Sequence, residues 1–181
     1  GTQKWTINNS ADMPLAAQLY IGSLSTPGSY LNGYLDEVRM MKGGALWSGS
    51  FTAPTYAYKE TFDASGNGNV GSFQSGAVLT DTGAFGKSAS FDGTDDYLHM
   101  GSNNPATGEF TGSNLTVSAW IKPSIVSGVQ TIAIKNGPFI LELREDKLRG
   151  SIYSGSWADV DGDILMQPNV WQLVSMVYDG A

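Results

Sequence analysis

Apolar and polar side chains alternate with a period of two along most of this chain, the pattern of strands with one face buried and one face open. The clearest run is Leu115–Pro123, where Leu115, Val117, Ala119 and Ile121 take one face and Ser118, Trp120 and Lys122 the other. Gln130–Lys135, Phe139–Arg144 and Lys147–Tyr153 read as three further strands of a meander, and the stretch from Trp171 to Gly180 as another. Ser88–Met100 splits into two strands around an Asp92-Gly93 turn. Nearer the start, Lys4–Ile7, Gln18–Gly22 and Gly33–Arg39 carry the same signal, separated by polar turns and a Pro27-Gly28 loop. After a crossover over 43–58, in which Ala45-Leu46-Trp47 fits a single helical turn, Tyr58–Phe62 alternates again. The expectation is an all-β chain with almost no helix.

Gly33–Arg39 holds the one awkward position. Its alternation puts Tyr34, Asp36 and Val38 on one side and Leu35, Glu37 and Arg39 on the other, so Asp36 is expected to point inward. A buried carboxylate needs a partner, because an unpaired buried charge costs several kcal/mol or neutralises itself. A cation, an arginine such as Arg39 or Arg144, or a set of backbone N–H groups would each serve.

Composition narrows the classes. The 181 residues, 41% hydrophobic and 11% aromatic, suit one large β domain with a full core rather than a disordered chain. The 23 glycines, spread throughout, fit many short strands joined by tight turns. A net charge of −7 argues against nucleic acid, whose phosphates call for Lys and Arg. With no cysteine there are no disulfides, Cys-based zinc sites or thiol chemistry. No apolar run is long enough to span a bilayer. The chain begins at Gly1 with no signal peptide in view, which reads as a processed, excised or tag-derived start.

Several motifs together resemble the laminin G-like, concanavalin A-like lectin/glucanase sandwiches, of bacterial or phage-tail type. Leu115-Thr-Val-Ser-Ala-Trp-Ile-Lys-Pro123 matches their central strand almost letter for letter. Gly83-Ala-Phe-Gly86 followed by Phe91-Asp-Gly-Thr-Asp-Asp-Tyr97 resembles their entry sequence, and Trp171–Gly180 their W-x-x-V-S-x-V-Y-D-G strand. Gly33-Tyr-Leu-Asp-Glu-Val-Arg39 resembles their closing strand, and Ser50-Phe-Thr-Ala-Pro54 the tail that follows it. The resemblance implies a two-sheet antiparallel jelly-roll sandwich of about a dozen strands.

The order of these pieces is displaced. The closing strand stands near the start, and the chain stops at Ala181 where the family continues. Residues 59–181 resemble the first part of such a domain and residues 1–58 its last part, so 1–181 reads as one sandwich in circularly permuted order. A permutant with termini at an exposed hairpin, a window of a tandem array, or a subunit exchanging strands with neighbouring copies would each produce this.

The family often holds a structural Ca²⁺ near the closing strand, which by position implies Asp36, Asp63, the Phe62 carbonyl, Asn67 and Asn69 as ligands. For glycan contact the residues favour Tyr153-Ser-Gly-Ser-Trp157 with Asp159 and Asp161, then Tyr30 and Asn32. The run Asp159–Asp163 reads as a solvated hairpin loop and lacks the spacing of an EF-hand. Catalysis is poorly supported. Glu142-Leu-Arg-Glu-Asp146 places its carboxylates on opposite faces, unlike the same-face pair of a glycosidase. The single His99 has no nucleophile context. The expected role is therefore a non-catalytic extracellular, cell-surface or virion module for adhesion, glycan binding or fibre assembly. A glycoside-active enzyme or an inert spacer of the same fold are the alternatives.

Overall fold

The computed structural model describes residues 6–8, 19–24, 29–42, 71–100, 114–135 and 137–179. Among them are thirteen strands and no helix. In chain order these are β1 (Thr6–Asn8), β2 (Leu19–Ile21), β3 (Asn32–Lys42), β4 (Gly71–Gln74), β5 (Val78–Thr80), β6 (Ser88–Asp92) and β7 (Tyr97–Met100), followed by β8 (Asn114–Pro123), β9 (Val129–Lys135), β10 (Phe139–Arg144), β11 (Lys147–Tyr153), β12 (Trp157–Leu165) and β13 (Gln172–Asp179). They form a six-stranded sheet, β1-β13-β8-β3-β6-β5, and a seven-stranded sheet, β12-β11-β10-β9-β2-β7-β4. The architecture is the expected all-β, two-sheet sandwich. The strand expected at Tyr58–Phe62, the helical turn at 45–47 and the 181/1 junction lie outside the described residues.

The core fills the space between the two sheets. From the six-stranded side come Leu115, Val117, Ala119 and Ile121 of β8 and Val174, Met176 and Tyr178 of β13; from the seven-stranded side, Ile132, Ala133, Phe139, Leu141 and Leu148 among others. These are the inward positions of period-two strands, and β8 and β10 carry them as the alternation predicts. β8 lies between β13 and β3, and its other face is covered too, with Thr116 and Ser118 buried beside Ser175 of β13.

Strands from the first 58 residues share both sheets with strands from the rest of this same chain. β3 runs antiparallel to β8 on one side and β6 on the other, and β2 lies between β9 and β7. β1 borders β13, but in parallel, with Thr6 opposite Val177 and Asn8 opposite Asp179. A hairpin leading from β13 into the first strand would have set the pair antiparallel.

Two readings from the alternation are corrected. The first concerns β3, where strict parity carried Asp36 inward with Tyr34 and Val38. Leu35 lies opposite Ile121 and Asp36 opposite Trp120, but Arg39 is the next residue in register, opposite Ser118. Glu37 and Val38 thus share the space facing Ala119. This is a β-bulge, and Glu37 has the left-handed φ of 50° that relieves it. The bulge switches parity, so Leu35 before it and Val38 and Met40 after it all pack on the core. Tyr34, Asp36 and Arg39 share the outer face. The second is Asp159–Asp163, expected as a loop but folded into β12, an edge strand; the turn is the shorter 154–156 segment, closed by Ser154 N–H donating to Ser156 O. β4 and β5 were not anticipated, being only three or four residues long, too short to show an alternation.

β3 is an integral core strand, and Leu35 is the residue that tests this. Leu35→Ala is expected to lower unfolding free energy by about 2–5 kcal/mol, read from urea denaturation, as for a leucine at the centre of any domain. A loss under about 0.5 kcal/mol, typical of surface sites, would mean that the strand is peripheral.

Candidate functional site

The Asp36 carboxylate is only 7% exposed and lies on the outer face of the six-stranded sheet. Its Oδ1 accepts the N–H of Glu37 at 2.7 Å, which the bulge turns toward it, and its Oδ2 accepts the N–H of Phe85 at 2.9 Å. Ala84 N–H is a third donor. Successive N–H groups converging on one point form an anion cradle, and here the anion is the protein's own side chain. Gly83 makes the approach possible: a Cβ there would lie 2.7 Å from Asp36 Oδ2 and 2.7 Å from Lys87 O. Phe85 continues the contact by packing edge-on against Trp120, ring centroids 5.6 Å apart. Of the partners weighed for Asp36, the structure shows the backbone N–H set.

Each Asp36 oxygen thus already accepts a backbone N–H. Asp63, Phe62, Asn67 and Asn69, the co-ligands that the resemblance implied, lie outside the described residues. The described grouping with a cation-like donor set is Asp92, Asp95 and Asp96, one oxygen of each lying within 4.8 Å of the others. Hydrogen bonding there is turn-forming: Asp92 Oδ1 accepts Thr94 N–H and Asp96 Oδ2 accepts Asp92 N–H. Burial, reinforced by the neighbouring Asp92 and Asp95 charges, raises the Asp96 pKa.

On the seven-stranded sheet, the residues singled out for glycan contact come together on the face away from the core. Register sets Tyr153 opposite Trp157, Ser151 opposite Asp159 and Arg149 opposite Asp161. The Tyr153 and Trp157 rings meet edge to face at 5.3 Å, and Trp157 is 47% exposed on the outermost strand. Arg149 donates from Nε to Asp161 Oδ1 at 2.6 Å and from Nη2 to Oδ2 at 2.8 Å, with Asp159 Oδ2 3.6 Å from its Nη1. This fork holds the Asp161 pKa below the usual carboxylate range. Glu142, opposite Arg149 on β10, is buried and accepts both Nε and Nη2 of Arg144.

Sequence reasoning missed the aromatic group at the other side of this face. Tyr20 packs against Tyr97 at 5.7 Å and His99 at 5.4 Å. Nothing local marks this, since Tyr20 reaches them by pairing strands far apart in sequence. Tyr30 and Asn32 do not join the Trp157 patch. They lie at the opposite end of the strands, in an open cleft of about 550 Å³ bordered by Gly93–Thr94 and by 125–130.

Among the described residues, no helix is long and apolar enough to cross a membrane. A family model described as the concanavalin A-like lectin/glucanases superfamily, the laminin G type, matches residues 92–181. No curated protein and no solved structure matches the chain.

The Asp36 cradle gives two linked expectations. Asp36→Ala strands its N–H donors, and each left without a partner costs about 1–3 kcal/mol; a clear drop in the urea midpoint is expected. Burial raises the Asp36 pKa above the ordinary carboxylate value despite the three N–H donors. The folded state thus holds this proton more tightly than the unfolded chain. Its contribution is fully present below about pH 4 and is lost as pH rises through the raised folded pKa. The stability gap between wild type and Asp36→Asn should therefore shift against wild type across that window and be flat above it. A gap that moves the opposite way with pH would contradict the burial argument.

Proposed function

Because this chain belongs, through residues 92–181, to the concanavalin A-like lectin/glucanase superfamily, we propose that it is a non-catalytic carbohydrate-recognition module. Its place would be an extracellular, cell-surface or virion-associated structure. The observation that carries the reading is Trp157, whose indole stands 47% exposed on an edge strand and braced by Tyr153. An aromatic face of this kind packs against the C–H face of a sugar ring, while polar groups beside it take the hydroxyls. Arg149, Asp159 and Asp161 are those groups. Their mutual ion pairs fix the donors and acceptors before a ligand arrives, which lowers the ordering cost of binding.

A glycosidase would use two carboxylates across the scissile bond, one of them protonated at neutral pH. Among the described residues, one pair on a shared face is Glu142 and Asp161, two strands apart and so roughly 10 Å between backbones. Arg149 stands between them in register and favours the ionised form of Asp161, the opposite of what a general acid needs. That supports recognition over hydrolysis.

Glycan-array binding followed by calorimetry tests the reading. Trp157→Ala should weaken binding of the best glycan by about 10-fold or more, equivalent to at least about 1.4 kcal/mol, while the thermal midpoint stays within about 2 °C. Arg149→Ala should weaken it less than Trp157→Ala. Undiminished affinity in Trp157→Ala would remove this face as the contact surface.

A further inference from the structure

β12 borders the seven-stranded sheet and, among the described strands, pairs on one side only, with β11. It is long and open: Trp157, Asp159, Asp161, Asp163, Ile164 and Leu165 are all exposed. From Trp157 to Asp161 its ladder to β11 is regular, each residue opposite one partner; the register shifts only beyond Asp161. In such a ladder alternate residues turn N–H and C=O toward the neighbour, and the residues between turn theirs away. The regular run, about 17 Å long, therefore carries about two or three residues whose backbone groups point outward from the sheet.

The side chains of this run fall into two sets. Ala158 and Val160 pack against the core but stay partly open at its margin. Trp157, Asp159 and Asp161 stand on the outer face. A further strand laid along β12 would distribute its own side chains between these same two faces. On the inner face it would cover Ala158 and Val160, which favours aliphatic, β-branched residues. On the outer face it would meet Asp159 and Asp161 at about 4.5–5.5 Å between Cβ atoms.

Charge decides what those outer residues are. Over β10, β11, the turn joining them and β12, six carboxylates stand against three cations, and the chain as a whole carries −7. Asp161 gives both oxygens to Arg149, whereas Asp159 reaches it with one, at 3.6 Å, and has acceptor capacity left. A guanidinium or ammonium on the incoming strand would complete that pairing with a charge-assisted hydrogen bond.

We propose that the β12 border is a docking site for an extended basic segment of another protein, alternating Lys or Arg with aliphatic residues, which adds to the seven-stranded sheet as a further strand. Backbone hydrogen bonds supply the attachment, and the alternating side chains supply the selection. The site uses the edge of the strand and does not depend on sugar contact at Trp157. A segment this short, ordered only on binding, should dissociate at about 10–100 μM.

The test is fluorescence anisotropy with labelled, end-capped peptides of about seven residues, and amide shift mapping on ¹⁵N-labelled protein to place the contact. One peptide alternates valine and arginine. A second replaces each arginine by glutamate, and a third keeps the arginines but is N-methylated at every residue, which removes its backbone donors and no charge. Expected are saturable binding of the arginine peptide, shifts centred on the amides of 157–161, and at least about 10-fold weaker binding of the other two. Asp159→Lys, at an exposed position, should weaken the arginine peptide at least about 5-fold and strengthen the glutamate one. The proposal is overturned if the arginine peptide shows no saturable binding up to about 1 mM, or if either other peptide binds as tightly. It is equally overturned if the shifts centre on another strand, or if Asp159→Lys changes neither affinity. A free protein that sediments as a dimer and protects its 157–161 amides from hydrogen exchange would also sink it, since a second copy would then hold the border.

Discussion

A buried carboxylate held by peptide N–H groups is the contact on which the outer side of the six-stranded sheet depends. Asp36 gathers donors from its own bulge and from the loop 83–85, fixing at once the kink in β3 and the position of Phe85 over Trp120. The bulge in turn decides which side chains of β3 reach the core. Had the strand kept strict parity, Arg39 would lie on the same side as Leu35 and Met40 on the side away from it. The extra residue returns Val38 and Met40 to the core and leaves Arg39 outside. One carboxylate thus links two sequence signatures, Tyr-Leu-Asp-Glu-Val-Arg and Gly-Ala-Phe-Gly, that lie about fifty residues apart.

The fold was legible where burial on one face makes side chains alternate. β8, β9, β10, β11 and β13 have bounds in the structure within a residue or two of those read from the pattern. Legibility failed where that coupling is weak. β12 carries three aspartates and a glycine because it is an edge strand facing water, and such a composition imitates a loop. β4 and β5 are too short to alternate. The bulge in β3 escapes notice because parity arguments assume an unbroken ladder, and only the partner strand shows that two residues face one.

The sites divide in the same way. Tyr153, Trp157, Asp159 and Asp161 could be grouped from the sequence because a tight hairpin brings near neighbours together. Asn32 could be suspected from its type, but Gln130, which organises the cleft around it, could not. Ninety-eight residues separate the two, and a glutamine inside a period-two strand carries no mark of its partner. The Tyr20, Tyr97 and His99 group was hidden for the same reason. Asp36 was identified for a sound reason, the need of a buried carboxylate for a partner, and the partner proved to be the backbone.

The position of β12 at the border of the seven-stranded sheet has a consequence for how copies of this protein meet. A free strand border is a template for any other chain, most of all an identical one. Here it presents Asp159, Asp161 and Asp163, all exposed. A second β12 laid antiparallel along the first and centred on its middle aspartate would bring carboxylate against carboxylate, and like charges directly opposed are unfavourable. Among the described strands, the row of aspartates on this border therefore disfavours pairing with an identical border and works against sheet growth.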